Sequence, residues 1–241
     1  MITIDTRPAL VPFNPAFGER LKDFIRYSEV KHLLYKVIDL QHDRRTDFRS
    51  LAVLSAFPGE GKTLFCAALA MAYVDSCRSK ILVVDTTTFH HPHSLALRQC
   101  IDPDHPQIDF MSLTEGSNGR NQLNSTPADA SETRDLAPEP ERGGDGDFAV
   151  SMVLESEHSL IRRVAKDRAK QYGLVLLDTA ALIARNKNNI DPSLVARLSD
   201  ASVLIAGRTL LNAPQLDDQL KFLKDPDLHL IGVVSNEAYS R

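Results

Sequence analysis

Residues 55–63 read Ser-Ala-Phe-Pro-Gly-Glu-Gly-Lys-Thr, and their reading decides the fold. Residues 56–63 fit a phosphate-binding loop (P-loop) in the loosened form that accepts Ala at the first position. Before it, residues 50–54 (Ser-Leu-Ala-Val-Leu) are short, apolar and compatible with a strand. After it, residues 64–73 (Leu-Phe-Cys-Ala-Ala-Leu-Ala-Met-Ala-Tyr) are rich in Ala and Leu and predict a helix. Strand, glycine loop and helix is the context this motif requires. Gly59 and Gly61 let backbone N–H groups turn toward an anion, and the new helix adds its positive end. The expected nucleotide contacts are Pro58, Gly59, Glu60, Gly61, Lys62, Thr63 and Leu64. Lys62, read as an exposed loop lysine, would reach the β- and γ-phosphates, and Thr63 would hold Mg²⁺ through its hydroxyl, so the expected cofactors are ATP and Mg²⁺.

Working outward, two further apolar runs end on a carboxylate: residues 80–85 (Lys-Ile-Leu-Val-Val-Asp) and 173–178 (Gly-Leu-Val-Leu-Leu-Asp). Residues 201–206 and 229–234 complete an expectation of five strands. Helical spacing predicts helices over 148–171, with Met152, Val153, Leu160, Ile161 and Val164 inward, over 193–198, and over 213–223 with Pro214 in the first turn. Upstream, residues 17–40 carry mostly helical spacing, in two helices meeting near Tyr27-Ser28, behind a proline-bearing arm at 1–17. Residues 89–113 give no clear assignment. Strands alternating with helices predict an α/β fold, a P-loop NTPase whose mostly parallel sheet is covered by helices on both faces. The chain divides into an N-terminal arm and helices, 1–49, and a P-loop ATPase-like domain, 50–241. Residues 114–147 interrupt the latter: Gly, Ser, Asn, Pro, Asp and Glu dominate, large apolar residues nearly vanish, and the stretch reads as a disordered insertion.

In an open α/β sheet the C-terminal strand ends share one edge, where ligands bind. That places Asp85 and Asp178 beside the P-loop. Asp178 follows four apolar residues as a Walker B carboxylate does and would hold the water shell of Mg²⁺. Asp85 could do the same, or accept a proton from an incoming nucleophile. The plainer alternative is that each Asp caps a strand-to-helix turn. The catalytic candidates are thus Lys62, Asp85 and Asp178, and the metal candidates Thr63, Asp85 and Asp178.

Composition narrows the function classes. The 241 residues are 43% hydrophobic, enough for a real core, and the net charge of −4 argues against a dominant nucleic-acid footprint. No apolar run approaches the length of a membrane span, and the first residues match neither a signal nor a transit peptide. Cys66, Cys77 and Cys100 lack metal-ligand spacing and suit a reducing cytoplasm. Cys66 reads as a small buried residue of the P-loop helix, His90, His91 and His93 as a solvated loop, and Tyr172 as packing.

Ser55-x-x-Pro-Gly-Glu-Gly-Lys-Thr63, the strand ending at Asp85, and Leu-Leu-Asp178-Thr together resemble the bacterial tyrosine kinase group. These are cytoplasmic ATPase-like domains of capsular and exopolysaccharide biosynthesis, related to the partitioning and septum-site ATPases. The resemblance covers about residues 50–100 and 160–236, and residues 200–209 and 231–236 sit where the family has its last strands. It implies that Asn236 contacts adenine. It also implies a membrane-embedded polysaccharide chain-length or export protein as partner, a homo-oligomer, and a cytoplasmic location with recruitment to the inner face of the membrane. Partitioning ATPases carry a second lysine five residues before the P-loop lysine; here that place is Phe57, which favours the polysaccharide branch. The chain also departs from the family. Asp-x-Asp followed by Arg is Asp85-Thr-Thr87-Thr here, and Asp-Thr-Pro-Pro is Asp178-Thr-Ala-Ala. Glu-x-x-Arg-x-x-Arg retains only Glu29, with His32 and Tyr35 in the arginine places, and the terminal tyrosine cluster is Tyr239 alone. The expected function is therefore a kinase-like ATPase. The alternatives are a non-catalytic nucleotide-binding regulatory module and a positioning or partitioning ATPase.

Overall fold

The apolar runs become the centre of one sheet in the computed structural model, which describes residues 21, 25, 28–43, 45–87, 100–101, 105–113, 157–183, 189–207 and 224–236. The strands are β1 (Ser50–Ser55), β2 (Ile81–Asp85), β3 (Ile108–Ser112), β4 (Leu174–Asp178), β5 (Ala201–Gly207) and β6 (Leu230–Asn236). Their order is β3-β2-β4-β1-β5-β6, and every described pair is parallel. Every residue of β1, β2 and β4 is buried, as strands covered on both faces must be.

Side chains alternate across each strand, so each central strand feeds two cores. Leu51, Val53, Ile81, Val83, Leu174 and Leu176 face one layer, with Val30, Leu33, Leu34 and Val37 of α1 (Ser28–His42) and Phe65 and Leu69 of α2 (Lys62–Cys77). Ala52, Leu54, Leu82, Val84, Val175 and Leu177 face the other, with Ile161 and Val164 of a helical segment at 157–171 and Val195 of α3 (Pro192–Leu198). Polar ties fix α1 to the sheet and to α2: Lys36 Nζ donates to Ile231 O at 2.5 Å, Gln41 Nε2 donates to Gly173 O at 2.6 Å, and Tyr73 Oη of α2 donates to Gln41 Oε1 at 3.0 Å. Where β1 begins, one carboxylate oxygen of Asp200 accepts from Arg49 N, Ser50 N and Ser50 Oγ.

The elements depart from the sequence reading in three places. The sheet has six described strands, not five, because Ile108–Ser112 pairs along β2 as an edge strand within the stretch that had no assignment. Its apolar run is interrupted by Asp109, whose carboxylate accepts from Tyr172 Oη at 2.7 Å, so Tyr172 carries a polar tie as well as packing. Second, the helix expected to end at Gln171 is not uniformly α-helical: it widens into a π turn at Arg163–Asp167 and tightens into a 3₁₀ turn at Arg168–Gln171. Third, α2 starts at Lys62 and runs to Cys77, longer at both ends than its apolar run, and Arg78 closes it in a left-handed conformation with φ 51°. The start of α1 at Ser28 agrees with the expected junction there, and Leu21 and Ile25 are also helical. The arm at 1–17, the histidines at 90–93, Met152, Val153, the 114–147 insertion, the helix at 213–223 and Tyr239 lie outside the described residues.

Candidate functional site

The P-loop joins the C-terminal end of β1 to the N-terminus of α2. Gly59 and Gly61 have φ of 83° and 90°, and Gly61 is the N-cap residue of α2. An L side chain rarely adopts such φ values, and a Cβ on Gly59 would meet nothing within 4 Å, so its glycine serves the turn rather than clearance. The first helical bond is Phe65 N to Gly61 O at 2.9 Å. The chain after β4 braces the loop's start: Leu182 N donates to Ser55 O at 2.9 Å, and Ile183 N to Ala56 O at 3.2 Å. Pro58 and Gly59 are exposed, and Thr63 and Leu64 half-buried. Lys62 is only 9% exposed, which corrects its reading as an exposed loop lysine: it is the buried first residue of α2.

Register brings the two carboxylates together. Asp85 and Asp178 are direct partners across β2 and β4, so their backbones lie about 5 Å apart. Both are buried, at 4% and 1% exposure. Thr63 Oγ1 donates to Asp178 Oδ2 at 2.8 Å, joining the P-loop to β4 across 115 positions of sequence. Asp178 Oδ1 is buried and has no hydrogen-bond partner among the described residues. Burial pushes the Asp178 carboxyl up to about 6; the Lys62 charge and the Thr63 hydroxyl pull it down, and Asp85 pushes it up again. Cys66 is fully buried as expected, and burial together with Asp178 raises its thiol well above the ordinary range.

Asp85 is held differently. Its Oδ1 accepts from Thr87 N at 2.8 Å and from Thr87 Oγ1 at 2.6 Å. One oxygen of Asp85 thus caps the turn after β2, as the plainer reading of a strand-end Asp has it, and the partner residue is the one that stands where the family's second carboxylate would be. The turn is anchored to the neighbouring strand through Thr86, whose N and Oγ1 both donate to Asp178 O, at 3.0 and 2.9 Å.

Glu60 has a part that the motif alone does not reveal. It is 5% exposed, and both of its carboxylate oxygens are engaged: Oε2 accepts from Phe57 N at 2.9 Å and Oε1 from Gly207 N, at the end of β5, at 2.9 Å. Asn236, expected at the adenine, sits buried at the end of β6 and donates through Nδ2 to Glu60 O at 2.8 Å. No local sequence signal encodes the ties to Gly207 and Asn236, since these partners stand 147 and 176 positions away.

The residues present fit a magnesium–triphosphate. The loop's left-handed glycines open onto the start of a helix, a lysine stands at its first position, and a buried carboxylate oxygen without a hydrogen-bond partner lies beside the threonine hydroxyl. No protein-family model matches the chain, and no curated protein matches it. Solved structures do. The kinase domain of the Escherichia coli tyrosine kinase ETK matches with a TM-score of 0.53 at 18% identity, over 86% of this chain and 73% of that one. The VpsO kinase domain matches at 0.52 and 16% identity, over 92% and 98%. The BceF tyrosine kinase domain matches at 0.50 and 16% identity, over 86% and 75%. At these identities the likeness is one of fold, and the fold is that of the P-loop kinase domains which the motifs resemble.

Proposed function

We propose that this chain binds ATP with Mg²⁺ and works as a kinase-like ATPase of polysaccharide biosynthesis or export, on the cytoplasmic side of a membrane, together with a membrane-embedded chain-length or export protein. The observation that carries the nucleotide reading is the meeting of Thr63 and Asp178 at the mouth of the P-loop. Bound there, magnesium–ATP supplies a metal-polarised γ-phosphoryl group. Lys62 would offset phosphate charge, Thr63 and Asp178 would hold the metal, and Asp85 stands beside Asp178 in register, where a carboxylate could hold metal-bound water or take a proton from a nucleophile. The kinase-like reading draws support from the shared fold. The polymer, the membrane partner and a homo-oligomeric state rest on the motif resemblance. Among the described residues no helix is long and apolar enough to cross a membrane.

A specific observation favours a second reading, a regulatory module that binds nucleotide without transferring phosphate. Thr87 donates twice to Asp85 where the resembled family has a second carboxylate. The deciding experiment is ATP–Mg²⁺ calorimetry on the whole chain, followed by turnover with and without the cytoplasmic segments of candidate chain-length proteins. Binding with slow turnover that a segment accelerates is the expected result. Absence of ATP–Mg²⁺ binding overturns the proposal, and binding without turnover under any condition moves it to the regulatory module.

A further inference from the structure

We propose that Glu60 is a positioning residue: its buried carboxylate straps the phosphate-binding loop to the end of β5, so that triphosphate affinity is set partly from the β5–β6 end of the site. The inference rests on the nucleotide reading above and deepens it.

An ionised carboxylate accepts on both oxygens, and Glu60 uses one for Phe57 N–H inside the loop and the other for Gly207 N–H on the strand, each at 2.9 Å. Hydrogen bonds to a charged acceptor are about twice as strong as neutral ones. The residue's own carbonyl takes a third bond, from Asn236 Nδ2 at 2.8 Å. Glu60 is thus tied at three points to its loop, to β5 and to β6. Gly207 completes the fit from the other side: a Cβ there would lie 3.1 Å from Glu60 Oε1 and 3.2 Å from its Cγ. The strand end is therefore glycine where the carboxylate leans on it.

A negative charge so near a triphosphate site is unfavourable by Coulomb's law alone. Removing it would then tighten binding. The strap makes the opposite prediction, because loss of either bond frees the loop whose shape receives the phosphates. In Glu60→Gln the side chain keeps its size, but its NH₂ must face one of the two N–H donors, and one tie is lost whichever way the amide is turned.

The test measures ATP–Mg²⁺ and inorganic tripolyphosphate–Mg²⁺ affinity by calorimetry for wild type, Glu60→Gln, Gly207→Ala and the double variant. Amide hydrogen exchange at Phe57 and Gly207 is followed in nucleotide-free protein. The expected result is at least a tenfold loss of both affinities in Glu60→Gln and a smaller loss in Gly207→Ala, whose added Cβ presses on the Glu60 carboxylate from the β5 side. The double variant should be little worse than Glu60→Gln, since both changes break one contact. Exchange should speed up at Phe57 or Gly207, or both, in Glu60→Gln. Unchanged or tighter binding in Glu60→Gln overturns the inference, and so do fully additive losses. If Glu60→Gln does not fold, Gly207→Ala decides alone: weaker binding of both ligands supports the strap, and unchanged binding sinks it. Should wild type bind neither ligand, the nucleotide reading fails on its own and the proposed control of affinity falls with it. Exchange then separates that failure from a failure of the strap, which unchanged protection at both amides would show.

Discussion

Asp178 carries its charge in surroundings that oppose it. Its carboxyl titrates at about 6 in the fold against 3.8 as an ordinary Asp, mainly because it is buried. The folded chain therefore holds this proton more tightly than the unfolded chain does. Stability from this group is fully present below about pH 4, falls as the pH rises toward 6, and is level above that. The interval corresponds to about 3 kcal/mol. Asp178→Asn, which cannot ionise, should escape the loss. Its stability relative to wild type, read from urea unfolding of nucleotide-free protein, should rise by up to about 3 kcal/mol between pH 4 and pH 7, while its Mg²⁺-dependent ATP affinity falls. A difference that stays flat across that range would show that Asp178 is not held against its charge. Strain of this kind is common where a cation is meant to arrive. The motif and the two strand-end carboxylates were legible because Gly59, Gly61, Lys62 and Asp178 sit in local patterns tied to backbone geometry. The burial of Lys62 and the ties of Glu60 to Gly207 and Asn236 were not, because they depend on residues far along the chain.

Among the elements, α1 belongs energetically to the sheet it covers. Val30, Leu33, Leu34 and Val37 enter the same core as Phe65 and Leu69 of α2 and the inner residues of β1, β2 and β4. Leu34 is 4% exposed. Leu34→Ala should cost about 2–5 kcal/mol by lost transfer and cavity terms, within one cooperative denaturant transition. A loss under about 0.5 kcal/mol, or a separate early transition for α1, would place the helix outside the cooperative unit and favour a domain boundary near residue 49. The central strands were readable because both their faces are apolar. β3 was not, since an edge strand needs less apolar surface and Asp109 interrupts its apolar run to meet Tyr172. The π and 3₁₀ turns between Arg163 and Gln171 leave no sequence signature in a segment whose apolar spacing stays helical.

For the whole molecule, ligand and fold are linked by mass action. Free ATP–Mg²⁺ at a hundred times its Kd should stabilise the protein by about 2.7 kcal/mol. For a chain of this size that is a rise of roughly 5–11 °C in Tm. Lys62→Met keeps the aliphatic packing of a residue only 9% exposed and removes its charge. It should melt within a few degrees of wild type without nucleotide and lose most of the nucleotide-dependent rise, both read by scanning calorimetry. An undiminished rise in Lys62→Met would mean that the triphosphate is held elsewhere.

The sheet order also sets when this site comes into being. β1 pairs only with β4 and β5 among the described strands, and both follow residue 173 in the chain. During synthesis the P-loop emerges early, on a strand with no neighbour to bond to. β2 and β3 can join each other, but they are held apart from β1 until β4 slides between them. That same insertion delivers Asp178 to Thr63 and sets it against Asp85. Long-range parallel pairing of this kind is slow. The nascent chain therefore gains its second carboxylate and its central strand in a single late event, and a ribosome stalled before Leu174 carries a glycine loop with neither.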